Sequence, residues 1–218
     1  MADQEIKIVT FADELFAQNS RLIISQDERC CWVVDPGFSP ATDDLLKHIS
    51  VNNLSPEAVI LTHAHADHIA GLSQVLNAHE MLPVYLAQTE WSFLEDASQN
   101  LSTMTGMELR VSVPELRDLA PDQMLELGGT RWQVLDTSGH SPGGRTLYCA
   151  QAQTAIVGDA LFAGSIGRVD FPHSDGSRLL SNIREKLFTL SGSTRVCSGH
   201  GPDTTIEIER TTNPFFTQ

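Results

Sequence analysis

The sequence predicts an α/β fold of many short strands, on three observations. Short apolar runs recur along the chain and stop at Gly, Pro or Asp. Between them lie segments whose apolar residues return every three or four positions, the stripe of a helix with one buried face. Histidines and aspartates collect where the apolar runs end, and α/β proteins place their chemistry at strand ends. Periodicity stops there: it gives two β-rich halves separated by helical and loop material.

The elements follow in order. Leu22-Ile23-Ile24-Ser25 and Cys31-Trp32-Val33-Val34-Asp35 read as paired strands with a turn around Gln26-Asp27-Glu28. Asp35-Pro36-Gly37 ends the second. Residues 41–52 carry Leu45, Leu46 and Ile49 at helical spacing, and Ser55-Pro56 breaks that helix. Ala58-Val59-Ile60-Leu61 is the next strand, followed by a helix with Ile69, Leu72, Val75 and Leu76 on one face. A strand at 83–87 and a helix at 88–96 come next. Residues 98–121 give the weakest signal and read as a helix and a strand flanking the site. Strands then fall at 124–127, 131–135, 146–149 and 155–157, with Gly128-Gly129 as a hairpin turn. Residues 175–190 place Leu179, Leu180, Ile183 and Leu187 on one helical face, with Asp175 as N-cap. Residues 204–212 read as a closing helix.

Composition bounds the rest. The 218 residues, 41% hydrophobic, suffice for one well-buried core and contain no linker, so one domain over 1–218 is expected. A formal charge of −14 argues against nucleic acid and anionic membranes as partners. No stretch approaches the ~20 apolar residues of a membrane span. Met1-Ala2-Asp3-Gln4-Glu5 lacks the features of a secretory signal. Cys30 and Cys31 should point to opposite strand faces, and Cys149 and Cys197 should be buried. A reducing cytoplasm suits four unpaired cysteines.

The chemistry sits in Thr62-His63-Ala64-His65-Ala66-Asp67-His68, where imidazoles and a carboxylate crowd together directly after a strand. Such a set suits zinc or iron. His140, in Ser138-Gly139-His140-Ser141-Pro142-Gly143, follows the strand at 131–135. Asp159 follows Ile156-Val157-Gly158, and His200 follows Val196-Cys197-Ser198-Gly199. Glycine beside each lets the backbone bend and approach closely. Five of the eight histidines occupy these places; His48, His79 and His173 do not. Gly139-His140-Ser141-Pro142-Gly143 also matches a serine-hydrolase elbow. Pro142 lacks the N–H that an oxyanion hole needs there, so that reading is rejected.

His63-x-His65-x-Asp67-His68, followed by His140, Asp159 and His200, resembles the metallo-β-lactamase superfamily over nearly the whole chain. The runs Gly158-Asp159-Ala160-Leu161-Phe162 and Gly199-His200-Gly201-Pro202 are similar to its glyoxalase II branch. The resemblance implies an αββα sandwich of two mixed sheets with helices outside. It implies two divalent metal ions, zinc expected and iron or manganese served by the same donors. His63, His65 and His140 would hold one, Asp67, His68 and His200 the other, and Asp159 would bridge. Water between them would attack as hydroxide, with Asp67 orienting it or relaying its proton.

The activity implied is hydrolysis of a small-molecule, glutathione-derived thioester of the hydroxyacylglutathione type. Arg168, Phe171 and Arg210 are the expected substrate contacts. The short, single-domain form is expected, without the extra C-terminal domain of longer glyoxalase II enzymes, and that expectation bears on glutathione selectivity more than on hydrolysis. The alternative is a persulfide dioxygenase with one iron on His63, His140 and Asp159. The second set of donors weighs against it.

Overall fold

The computed structural model describes residues 6–217, so the reading of Met1-Ala2-Asp3-Gln4-Glu5 lies outside the described residues. Six strands form a first sheet in sequence order: β1 (Lys7–Ala12), β2 (Asn19–Ile24), β3 (Cys30–Val34), β4 (Ser55–Ile60), β5 (Val84–Leu86) and β6 (Leu116–Asp118). The first three run antiparallel, and β3 through β6 run parallel. Helix α1 (Ala41–Val51) makes the first parallel crossover; α2 (Ala66–Ile69) and α3 (Leu72–Ala78) make the next.

A second sheet holds β7 (Met124–Leu127), β8 (Thr130–Asp136), β9 (Arg145–Cys149) and β10 (Thr154–Gly158). A two-stranded ribbon, β11 (Leu161–Phe162) with β12 (Ser165–Ile166), leaves β10. After α4 (Gly176–Asn182) come β13 (Arg195–Ser198), β14 (Thr204–Thr205) and α5 (Ile206–Thr212). The order across this sheet is β14-β13-β10-β9-β8-β7, with only β10–β13 parallel.

Strand alternation decides which residues meet which layer. Ile23, Trp32, Val34 and Ile60 of the first sheet pack against Leu125, Trp132, Val134, Leu147 and Ile156 of the second. Trp32 and Trp132 meet across this layer with ring centres 6.5 Å apart. The intervening residues Leu22, Val33 and Val59 face outward to Leu45, Ile49, Leu72 and Val75 of the helices. Likewise Ala155 and Val157 face Leu179, Ile183 and Ile206. Both faces of the central strands are therefore covered, which is why they read as continuous apolar runs. This is the αββα sandwich that the resemblance implies.

Several elements depart from the sequence reading. The helix after the ligand run breaks at Gly71, whose N–H is drawn to the Pro36 carbonyl at 2.9 Å. Residues 88–96 give a 3₁₀ helix, Gln88–Leu94, and 98–121 yield a 3₁₀ turn, Ser102–Thr105, before β6. The 175–190 helix continues past α4 as a π turn, Ile183–Leu187, with Asp175 capping the Arg178 N–H. Thr204 and Thr205 are strand, so the last helix starts later than expected. All four cysteines are free; Cys30 is half-buried and the other three are buried. Among the described residues, no helix is long and apolar enough to cross a membrane.

Candidate metal centre

Four strand ends converge at one edge of the sandwich. After β4 the chain passes Leu61 and Thr62 to His63 and His65, and α2 starts at once, placing Asp67 and His68 in its only turn. His140 lies in the loop between β8 and β9, Asp159 directly after β10, and His200 two residues after β13. Two glycines make this approach possible. Gly158 has φ +51, and a Cβ there would fall on the Thr62 side chain. At Gly199 a Cβ would collide with Asp159 Oδ1 and come within 2.9 Å of His68 Cε1.

All seven expected ligands meet here. His63, His65 and His140 form one group with donor atoms within 4.8 Å of one another, and Asp67, His68 and His200 form another. His65 Nδ1 and His140 Nε2 are 2.9 Å apart; His200 Nε2 is 3.1 Å from Asp67 Oδ2. Asp159 lies between the groups. Its Oδ2 is 3.5 Å from His140 Nε2 and 3.4 Å from His200 Nε2, and its Oδ1 is 3.3 Å from His68 Nε2.

The outward nitrogens are held by the protein, which fixes the ring orientations. His140 Nδ1–H donates to the Arg168 carbonyl (2.8 Å) and His200 Nδ1–H to the Phe16 carbonyl (2.8 Å). His68 Nδ1–H donates to Asp35 Oδ2 (3.0 Å). The same carboxylate accepts the Thr62 N–H and hydroxyl, both at 2.7 Å, so Thr62 Oγ1 can accept from His63 Nδ1 at 3.1 Å. These four rings thus present Nε2 to the interior, whereas His65 turns Nδ1 inward toward His140 Nε2. Glu90, fully buried, accepts the Ala64 N–H and the Gly143 N–H, both at 2.6 Å. It ties the His63–His65 loop to the His140 loop. Burial raises its pKa, and the hydrogen bonds from these N–H groups oppose the rise.

Sequence reasoning missed Asp35 and Glu90. Asp35 ends an apolar strand beside Pro-Gly and looks like a turn residue. Its signal was a carboxylate at a strand end in the same sheet as the ligand run. Glu90 carried no signal separable from an exposed helical glutamate.

The electrostatics divide the cluster. Burial, together with the neighbouring His68, holds the His63 imidazolium well below its ordinary pKa. Burial and then His140 bring His65 down to about 3. Both rings are neutral donors at pH 7. For His68 burial opposes charge, but Asp159, Asp67 and Asp35 outweigh it and raise the pKa well above the usual value. His200 is raised against burial to about 10 by Asp159 and Asp67. Asp159 is held well below the carboxylate range, burial being overcome by His68 and His200.

His63 Nε2 and Asp159 Oδ1 are buried yet make no hydrogen bond. An unpaired buried polar atom is costly. A set of imidazole nitrogens and carboxylate oxygens that leaves such atoms facing one another fits divalent cations. The carboxylates favour the charged forms of His68 and His200, so a cation binding there would compete with protons.

The cluster opens onto a cavity of about 430 Å³, lined by Asp67, Asp159, His65, His140 and His200 at its floor. Of the expected substrate contacts, Arg168 and Phe171 line it. The Phe171 ring meets His65 and His140 edge-on, with ring centres 5.7 and 5.9 Å away. Arg168 lies over the Phe171 ring, 4.2 Å from its centre, with its fork closed on Asp170 at 2.9 and 2.7 Å. Arg210 is a correction. It does not line the cavity; α5 carries it to the Phe188 carbonyl (3.2 Å) and to Glu207. Helix α5 packs Ile206 and Glu209 inward and turns Arg210 outward, toward its pairing with Glu207.

Residues 14–200 match the sequence pattern of the metallo-beta-lactamase superfamily. The chain belongs to the metallo-β-lactamase superfamily. Among its relatives is the probable metallo-hydrolase YqgX of Bacillus subtilis (strain 168), 40% identical over 91% of this chain and 92% of that protein. The hydroxyacylglutathione hydrolase GloC of Haemophilus influenzae is 32% identical over 92% of this chain and 93% of its own length. Among solved structures, BLEG-1 B3 metallo-beta-lactamase superposes with a TM-score of 0.91 at 34% identity, covering 97% of this chain and 100% of that one. TTHA1623 in a di-iron-bound form gives a TM-score of 0.83 at 32% identity, covering 95% and 99%. The superfamily binds metal ions, and the clustered histidines and aspartates of this member are the groups that could hold them.

Proposed function

We propose that this superfamily member is a thioester hydrolase of the hydroxyacylglutathione type with a binuclear metal site. One observation carries the reading: Asp159 lies within 3.5 Å of ring nitrogens from both groups, joining His63, His65 and His140 to Asp67, His68 and His200. The similarity to GloC supports the substrate class, and the di-iron form of TTHA1623 supports a two-metal arrangement. Zinc is the ion we expect, with iron and manganese suited to the same donors.

Two cations bound there would acidify a water molecule and polarise the substrate carbonyl. The residues do the rest. The outward hydrogen bonds to Asp35, Arg168 and Phe16 keep the ring nitrogens aimed inward. Asp67, on the cavity floor, orients the attacking water and accepts its proton at a carboxylate oxygen. The water oxygen bonds to the thioester carbon, and the C–S bond breaks with its electron pair leaving on sulfur. The sulfur then takes up a proton, giving an acid and a thiol. Thiols ionise near pH ~8.5, so the leaving group departs without a dedicated acid. The cavity accordingly needs no further proton donor.

The test is metal analysis alongside turnover. The chain, stripped and reloaded with zinc, iron or manganese, is expected to bind about two ions and to release thiol from S-lactoylglutathione. One iron per chain with oxygen uptake on glutathione persulfide would replace this reading with the dioxygenase. Full turnover after exhaustive chelation would end both.

A further inference from the structure

The cavity has two unlike flanks. Beside His65 and His140 stand Phe171 and Arg168, the one arginine or lysine among the lining residues. Beside His200 stand Phe16, Phe38 and Phe162, with no charged side chain among them. Phe16 and Phe38 stack with centres 5.5 Å apart and planes 25° from parallel. Phe162, on the β11–β12 ribbon, meets His200 edge-on at 5.8 Å.

These rings are held in place. The Phe16 carbonyl receives the His200 Nδ1–H, so the ring is anchored to the cluster itself. Phe38 follows Gly37, where an added Cβ would collide with Gln18 and lie 2.7 Å from the Asp67 carbonyl. Three rings from three chain segments therefore form a half-buried apolar wall next to the reacting position. Apolar surface facing a cavity gains by being covered, and aromatic walls favour aromatic or branched occupants.

Resting on the hydrolase reading, we infer that the acyl group of the substrate lies against Phe16, Phe38 and Phe162, so that the preferred thioester carries an aryl or branched apolar acyl group. The assignment of arms follows from charge. A thiol such as glutathione bears carboxylates, and Arg168 is the one arginine or lysine among the described residues that line the cavity. The Arg168–Asp170 pair is exposed on both sides and is readily exchanged for a substrate carboxylate. The acyl arm must then leave toward His200. A methyl group, as in lactoyl, would leave most of that wall uncovered.

S-lactoylglutathione and S-mandeloylglutathione differ only by methyl against phenyl on the α-carbon of the acyl group and separate the possibilities. With the metal-loaded protein, kcat/KM is expected to be roughly tenfold or more higher for the mandeloyl ester. Phe38→Ala should collapse that ratio while metal content stays unchanged. A second measurement needs no turnover: S-benzylglutathione should bind roughly tenfold tighter than S-methylglutathione by titration calorimetry. Hydrolysis of both esters without a phenyl preference overturns this inference and leaves the hydrolase reading standing. If neither ester is hydrolysed, the hydrolase reading fails, and the two thioethers still decide where the apolar arm goes: equal binding overturns the inference.

Discussion

The first sheet delivers four clustered side chains from the single segment His63–His68, whereas the second delivers His140, Asp159 and His200 from three separate strand ends. In the first half a tight loop and one helical turn supply the spacing, with no glycine inside the segment itself. In the second half glycines at 139, 158 and 199 let the backbone turn or come close. Support differs too. His63 and His68 depend on the Asp35 carboxylate, while His140 and His200 depend on backbone carbonyls. Side-chain support can be removed by one substitution; carbonyl support survives any side-chain change at the residue providing it.

That contrast can be broken most severely at the point where the halves meet. Asp159→Ala removes the carboxylate that lies against ring nitrogens of both sets and should lower turnover on the order of a thousandfold, with metal content reduced. Retention of activity by this variant would show that the sets work separately. Next in size is Asp35→Asn, which should weaken metal binding about 10–100-fold, read by competition against a chelator, with the fold retained by circular dichroism. Glu90→Gln should act in the same direction and less strongly, since an amide still accepts one of the two N–H groups. An unchanged affinity in Asp35→Asn would mean the side-chain support is dispensable and the two halves are alike.

The smallest effect lies in the loop carrying His140. Asp136 accepts from Ser138 N–H (3.0 Å) and its hydroxyl (2.6 Å) and pairs with Arg145 and Arg178. Burial resists its ionisation, but Ser138 and the two arginines outweigh burial and hold its pKa below the ordinary 3.8. A depressed carboxylate pKa stabilises the fold above the unfolded value, and that stabilisation is lost as pH falls through the folded value. Asp136→Asn should therefore be less stable than the parent in urea at pH 7. The gap should close as pH drops below 3.8; a gap that persists in acid would show that Asp136 acts through its shape and not its charge.

Legibility followed the same division. The run 63–68 was readable because its ligands are neighbours in sequence, and His140, Asp159 and His200 because each ends an apolar run beside a glycine. Asp35 and Glu90 were not, since each matters only through contacts 26–53 residues away, such as Glu90 with Ala64 and Gly143. Buried β strands were found from continuous apolar runs, while the edge strand β1, with its exposed and half-buried residues, gave no such run. The ribbon β11–β12 has strands too short for any period. The aromatic wall was invisible for a different reason: Phe16 and Phe38 stand before and after β2 and β3, and only the turn of that hairpin brings their rings together.

The loop between β1 and β2 is stitched to the loop after β13. Asn19 donates to the carbonyls of Ser198 and Gly201, the Asn19 N–H reaches Gly199, and Gln18 bridges to His200. These partners are separated by up to 182 residues. Contacts of such sequence span form slowly. A polypeptide emerging from the ribosome N-terminus first thus holds its earliest four donors long before the last one is synthesised, so assembly of the complete centre is a terminal event of folding.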